Sequence, residues 1–368
     1  MKTVIKLLTL ACFATILLSS CEDDNKQKPN PKAEEKLVSG QEVLSNTMDM
    51  VVMPTYKNLR QAATKMYEAC LALQKAPTAE TLEVARKEWR AARVHWEQSE
   101  AFLYGPTNDQ GLDPALDEWP VDVEGMNKII ENSEPITPKV ISAQNETRGF
   151  HLVEYLLWGV KSDKKATDFT PRELEYLAAA ALDIKQNAEM LVTNWTEYIN
   201  NFKSIPSKKY PSVLAAVEEI IVGMIDISDE VGNEKIENPL NGEGDSKDGK
   251  PHFDLEESRF SNNSKTDYIN NIESIRNMYT CKYDGKQGKS ISDLVVTNLK
   301  MKALDDKVKA QIDAAQKAID EIKGTFTNGI VNDREGVKKA QQAVRTLNAT
   351  IEEELKVAFH KDAGNTIK

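Results

Sequence analysis

The stretch Arg148-Gly149-Phe150-His151-Leu152-Val153-Glu154-Tyr155-Leu156-Leu157-Trp158-Gly159 sets an imidazole and a carboxylate three residues apart in a run that is otherwise almost wholly apolar. On a helix, positions three apart are neighbours on one face, so His151 and Glu154 can touch a common object. That face runs back through Arg148 and Gln144 and forward to Tyr155 and Trp158, while Leu152, Val153, Leu156 and Leu157 cover the other sides. Burying such polar groups is costly unless they are paired or bound. Three arrangements meet the condition: a structural network with Arg148, a nitrogen and oxygens offered to a metal, or acid–base work on a substrate.

A metal needs more than this pair. Zinc sites take at least three protein ligands, and the helical HExxH pattern that supplies two histidines one turn apart does not occur here. The remaining histidines, His95, His252 and His360, are distant in sequence. One imidazole with several carboxylates suits iron or zinc, provided that other helices contribute acids. Glu97 and Glu100 stand three apart near the end of an earlier helix, and His252, Glu256 and Glu257 cluster further on.

The elements that would position these groups are helices. Val52, Tyr56, Leu59, Ala63, Met66, Cys70 and Leu73 recur by four and three, and Leu82, Ala85, Trp89, Ala92, Trp96 and Leu103 continue the rhythm. Thr78 is a plausible N-cap, and Gly105-Pro106 stops the second of these helices. Thr170-Pro171-Arg172-Glu173 is a capping box with proline at the first helical position. Leu174, Leu177, Ala181, Ile184, Ala188, Leu191, Trp195 and Tyr198 then keep one stripe. Further helices are expected over about 211–231, 266–281, 291–323 and 334–359, and no run alternates with period two. The class is therefore all-α. The stripes match antiparallel bundles, and the length favours two helical-bundle domains, 41–200 and 201–368, with the boundary at Asn201 to Tyr210. Two long irregular stretches, 104–123 and 232–265, interrupt the pattern.

Residues 1–21 read as an address. Lys2 and Lys6 precede the apolar run Leu7 to Leu18, which ends in Leu18-Ser19-Ser20-Cys21, similar to a bacterial lipobox whose cysteine takes the lipid. The mature chain is then expected to start at lipidated Cys21, anchored in the cell envelope, with the outer membrane favoured over the inner. Residues 22–40 would form a flexible tether. Cys70 and Cys281 remain, either as buried thiols or as a disulfide. The net charge of −11, which becomes −13 once Lys2 and Lys6 leave with the signal, argues against nucleic acid and is compatible with cation capture.

The stretch 148–159 closely resembles the GxHxxE signature of imelysin-like proteins. Trp96 to Pro106 resembles the motif closing that family's second helix, and Leu116-Asp117-Glu118-Trp119-Pro120 resembles its Asp/Trp-Pro segment. Glu257 to Ser261, continuing through Asp267, Asn270-Asn271-Ile272 and Asn277-Met278-Tyr279, resembles its second-half signature. With gaps, the resemblance spans about 45–355. It implies two α-helical domains, each related to a four-helix bundle, with His151 and Glu154 as the metal pair. The family is filed among metallopeptidases, and members are also linked to iron regulation and uptake.

The first reading is thus an envelope lipoprotein that binds iron, another metal or an iron-bearing ligand such as haem, with an outer-membrane uptake partner. His151, Glu154, Glu97, Glu100 and Glu257 would be its metal-site residues. Arg148, Tyr155, Trp119, Ser258, Asp267 and Asn271 would line the pocket. The second is a zinc peptidase in which His151 and Glu154 are catalytic and Glu97 or Glu257 is the base. The third is a surface scaffold with a purely structural pair.

Overall fold

In a computed structural model, residues 37–366 are described. The expected signal, the cysteine expected to carry lipid, Cys21, and most of the expected tether lie outside them. Tether residue Val38 is buried, and its N–H and C=O are both hydrogen-bonded to the Asn298 side chain (3.0 and 2.9 Å). The tether's last residues are therefore docked rather than free.

The described residues are all-α apart from one hairpin, β1 (Lys282–Tyr283) with β2 (Lys286–Gln287). Helix α1 (Gly40–Thr47) leads through a π-helical turn into α2 (Met53–Lys75), and α3 (Ala79–Glu97) returns along it. Both expected N-caps form: the Thr78 hydroxyl accepts from the Thr81 N–H (3.2 Å), and that of Thr170 from the Glu173 N–H (3.1 Å). Short α4 (Leu112–Asp117) and α5 (Gly149–Trp158) follow, and α6 (Pro171–Tyr198) packs along α2. The second half holds α7 (Val213–Glu230), α8 (Ser264–Thr280), α9 (Lys302–Asp320) and α10 (Arg334–Thr350), with α9 packed along both α8 and α10. The facing stripes form a continuous apolar core whose largest members include Trp89, Trp96, Trp195, Tyr56 and Phe150.

The two halves meet where α3 packs on α8, and the described residues belong to one compact unit that starts at Leu37. The stretch expected as a boundary holds a short helix, Asn200–Lys203, and the Tyr198 and Tyr210 hydroxyls meet across it at 3.2 Å. The helix expected over 291–323 is broken. Its first part ends in a π-helical turn over Leu294–Asn298, Lys300 takes a left-handed φ of 58°, and only then does α9 begin. Both stretches expected to be irregular contain short helices: 104–123 holds α4, and 232–265 starts in a π-helical turn, Val231–Lys235.

Cys70 and Cys281 are free and buried, and burial pushes their thiols up to about 12 and about 11 respectively.

Candidate metal centre

Gly149 fixes how α5 enters the core. Its φ is 82°, and a Cβ there would come within 2.6 Å of the Leu116 carbonyl oxygen. Glycine alone lets the start of α5 lie against the end of α4. That contact sets Asp117, the last residue of α4, beside His151, one turn into α5: Asp117 Oδ1 is 3.1 Å from His151 Nε2.

From the other half, the turn 256–262 closes over the same imidazole. Ser258 and Asn262 take left-handed φ angles of 50° and 57°, which fold the turn back on itself. Glu257 Oε1 thereby reaches 3.3 Å from His151 Nε2. The Ser261 N–H and hydroxyl both donate to Glu154 Oε1 at 2.7 Å. The other Glu154 oxygen faces His151 Nδ1 at 3.3 Å. Glu154 thus stands behind the ring with both oxygens engaged. The fully buried Nε2 points at these oxygens of Asp117 and Glu257. Trp119 meets the ring edge-on with centroids 5.2 Å apart, and Phe260 packs on Trp119 at 5.7 Å.

Arg93 is the hub. It lies on the apolar face of α3, wholly buried, and pairs with Glu97 one turn on, with Asp117, with Glu257 at 3.0 Å and with Asp267 at 3.5 Å. Trp96 Nε1 donates to the second Asp117 oxygen at 2.6 Å. Lys235 closes the far side, its Nζ 3.1 Å from Glu100, 3.2 Å from Glu257 and 3.3 Å from Glu230. Asn271, from α8, donates to Glu97 at 2.5 Å and to Glu100 at 3.1 Å.

Seven carboxylates (Glu97, Glu100, Asp117, Glu154, Glu230, Glu257, Asp267) therefore share three cationic groups, Arg93, Lys235 and the His151 ring. The imbalance shows in their protonation. Burial drives Glu97 and Glu100 well above the usual carboxylate range, despite Arg93 and Lys235, and lifts Asp267 to about 6. Burial also opposes ionisation of Asp117 and Glu257, yet the cations win there: Arg93 and His151 hold Asp117 low, and Lys235, His151 and Arg93 hold Glu257 well below its usual value. For His151, burial favours the neutral ring, but Asp117, Glu154 and Glu257 together carry it well above its usual value.

Among the described residues, two groups could each surround one cation, their ligand atoms all within 4.8 Å of one another: Asp117, His151 and Glu257, and Glu97, Glu100 and Asp117. A cavity of about 230 Å³ gives onto both, lined by Glu100, Asp113, Asp117, Trp119, Lys235 and Glu257 among others.

Of the residues expected from sequence, His151, Glu154, Glu97, Glu100, Glu257, Asp267 and Asn271 converge here, with Trp119 and Ser258 beside them. Two take other places. Arg148 does not join the His151 network but makes a two-pronged pair with Asp183 of α6, both contacts 2.7 Å. Tyr155 is half-buried and packs on Phe260. His95 bonds the Tyr283 hydroxyl, and His252 bonds Asp248.

Sequence reasoning missed Asp117, Arg93 and Lys235. Two of these left a signal: Asp117 sits in the Asp/Trp-Pro segment, and Arg93 is a lone cation on the stripe between Trp89 and Trp96.

The imelysin (peptidase M75) family model matches residues 52–353. The chain belongs to the imelysin family. It is 33% identical over 246 residues to iron-regulated protein A of Synechococcus elongatus, an alignment covering 65% of this chain and 64% of that relative's length. A crystal structure of a protein proposed to be an iron-regulated protein A precursor, from Parabacteroides distasonis, superposes with a TM-score of 0.78 at 29% identity, over 89% of this chain and 97% of the other. An imelysin-like protein from Psychrobacter arcticum shares the fold, with a TM-score of 0.70 at 13% identity, over 87% and 95% of the two chains.

Proposed function

We propose that this imelysin-family protein binds a divalent metal cation, with iron the favoured cargo, on Asp117, His151 and Glu257. The observation that carries the reading is the convergence of the fully buried His151 Nε2 with one oxygen each of Asp117 and Glu257, at 3.1 and 3.3 Å, as ligand atoms all within 4.8 Å of one another. A carboxylate behind the imidazole is the usual arrangement for a metal-bound histidine, since it fixes the tautomer and raises the basicity of the ligating nitrogen. Glu154 fills that role by accepting from Nδ1, so it orients the ligand and is not itself one. The surplus of buried acidic groups over cationic ones supports a cation over an anion, and a mixed nitrogen–oxygen set suits iron, manganese or zinc. The relative and the structural neighbour described as iron-regulated favour iron among these. The cavity of about 230 Å³ supports a bare or partly hydrated ion over haem, because organic ligands of that size take pockets of roughly 300–1,000 Å³.

With the lipobox-like Leu18-Ser19-Ser20-Cys21, the reading becomes that of a cell-envelope lipoprotein that receives or hands on a metal, with an outer-membrane protein as its partner in uptake. Loss of membrane association in Cys21→Ser is the expected outcome for the anchor.

Equilibrium dialysis of the metal-free protein against Fe(II) under anaerobic conditions, and against Mn(II) and Zn(II), tests the site. Wild type should retain metal, His151→Ala should lose it, and Glu154→Gln should bind about 10–100-fold more weakly. Unchanged retention in His151→Ala overturns the reading. A haem titration followed by absorbance runs beside it, and haem binding in place of metal would move the assignment to an iron-bearing ligand.

A further inference from the structure

We infer that Lys235 governs the site by competition: its ammonium and the cation take the same oxygen of Glu257, and Glu230 receives the ammonium when the cation binds. This rests on the reading of Asp117, His151 and Glu257 as a cation site, and names the residue that sets its affinity.

Glu257 Oε1 faces His151 Nε2 at 3.3 Å, and Lys235 Nζ lies 3.4 Å from that same oxygen and 3.2 Å from Oε2. A cation on Oε1 therefore adds its charge beside the ammonium at one buried carboxylate, where like charges repel far more strongly than in water. Of the two protein cations that touch Glu257, Arg93 is locked in place. It is wholly buried, pairs with four carboxylates and lies over the rings of Trp89 and Phe150, 5.9 and 5.4 Å from their centroids. Lys235 is free to yield. Its ammonium ends a flexible, unbranched four-carbon stem. Its side chain lines the cavity of about 230 Å³ together with Asp117 and Glu257.

Exposure sets the direction in which the ammonium yields. Glu100, 3.1 Å from Nζ, has a side chain only 3% exposed, whereas that of Glu230, 3.3 Å from Nζ, is 41% exposed. Glu230 lines the cavity at the site and also cavities of about 390 and 480 Å³. A short swing toward it keeps the ammonium paired and hydrated as it leaves Glu257. The main chain stays where it is: Lys235 closes the π-helical turn Val231–Lys235, and the Tyr268 hydroxyl donates to its carbonyl oxygen at 2.9 Å. The return of the ammonium to Glu257 is then a built-in route for releasing the cation, because each binds at the other's expense.

The test uses the full-length, chelator-stripped protein in detergent. Mn(II) titrations are read from the loss of the free-ion electron paramagnetic resonance signal, and acetic anhydride labelling of lysines is read by mass spectrometry. Lys235→Met keeps the stem and removes the charge, and should bind Mn(II) roughly tenfold more tightly because the competing state is gone. In the wild type, saturating Mn(II) should raise acetylation of Lys235 severalfold as the amine leaves its buried pairs. Glu230→Gln should weaken binding by up to about fivefold, the scale of a part-exposed pair, and should have no effect in the Lys235→Met background. Equal or weaker binding by Lys235→Met, or unchanged labelling of Lys235 in the Mn(II)-loaded wild type, overturns the exchange and leaves the cation site standing. The labelling is done on wild type, so it decides even where Lys235→Met does not fold. Equal weakening by Glu230→Gln in both backgrounds overturns Glu230 as the receiver. No Mn(II), Fe(II) or Zn(II) retained by wild type or by Lys235→Met removes the site, and the exchange with it.

Discussion

Arg93 and Arg148 are two largely buried arginines that solve opposite charge problems. Arg148 meets one carboxylate, Asp183, through two contacts of 2.7 Å, and Asn187 shares the same aspartate at 3.3 Å. That pair is balanced and ties the start of α5 to α6. Arg93 meets four carboxylates at once, and neither Lys235 nor the His151 ring brings the group to neutrality. A balanced buried pair gives a fold its register. An unbalanced cluster needs protons or cations from outside, and in a protein that need reads as function. Arg148, placed next to His151 by sequence, has no part in the site because its side chain is taken up by Asp183 of α6.

The largest expected effect tests the hub. Arg93→Met strands four buried carboxylates, and breaking even one buried pair costs about 3–5 kcal/mol. Urea unfolding of the metal-free protein should show a loss of at least that size, which neutralising any single partner, as in Glu97→Gln, does not restore. Arg148→Met should cost about 3 kcal/mol by the same physics, yet the double variant Arg148→Met/Asp183→Leu should recover most of it, because nothing charged is left behind. If single neutralisation rescued Arg93→Met equally well, the contrast between the two arginines would be lost.

Glu256 sharpens the comparison through pH. It is buried at the edge of the cluster, accepts from Ser264 and Thr327 at 2.8 and 3.0 Å, and burial raises it from 4.5 to about 7. A carboxyl group raised on folding holds its proton more tightly in the native state, so stability falls as pH climbs from about 4.5 to about 7 and is level beyond. Its contribution to that fall is up to about 3 kcal/mol. Glu256→Gln should flatten this part of the stability–pH curve, measured by urea midpoints at fixed pH steps. A curve of unchanged slope would show that Glu256 does not titrate there.

The smallest effect falls on Gly149, which stands between the two arrangements. Gly149→Ala combines a strained φ of 82° with a clash against the Leu116 carbonyl. A loss of about 1–3 kcal/mol is expected, along with weaker metal binding as Asp117 shifts from His151. Equal affinity in Gly149→Ala would mean that the approach of α5 to α4 does not set the ligand distance.

Much of the fold was legible in the residues. The three–four stripes of α2, α3, α6 and α10 and the caps at Thr78 and Thr170 stand where periodicity and capping chemistry put them, because helix signals are local. The break at Lys300 was not legible, since nothing in the stripe 291–323 marks a left-handed residue. Short helices in 104–123 and 232–265 escaped notice because a single turn carries too little pattern to be read, and those turns bring Asp117 and Lys235 to the site.

By itself the sequence determined the all-α class, the imelysin-like motifs and the placing of His151 beside Glu154 on one helix face, since these depend on residue type and near spacing. Only the tertiary structure decided which groups share a charge. Arg93 with Glu257, Lys235 with Glu100 and Asn271 with Glu97 are pairs more than a hundred residues apart, and Asp117 meets His151 only because Gly149 lets two helix ends touch. Electrostatic balance is a sum over everything within a few ångströms, and a linear chain does not specify what those neighbours will be.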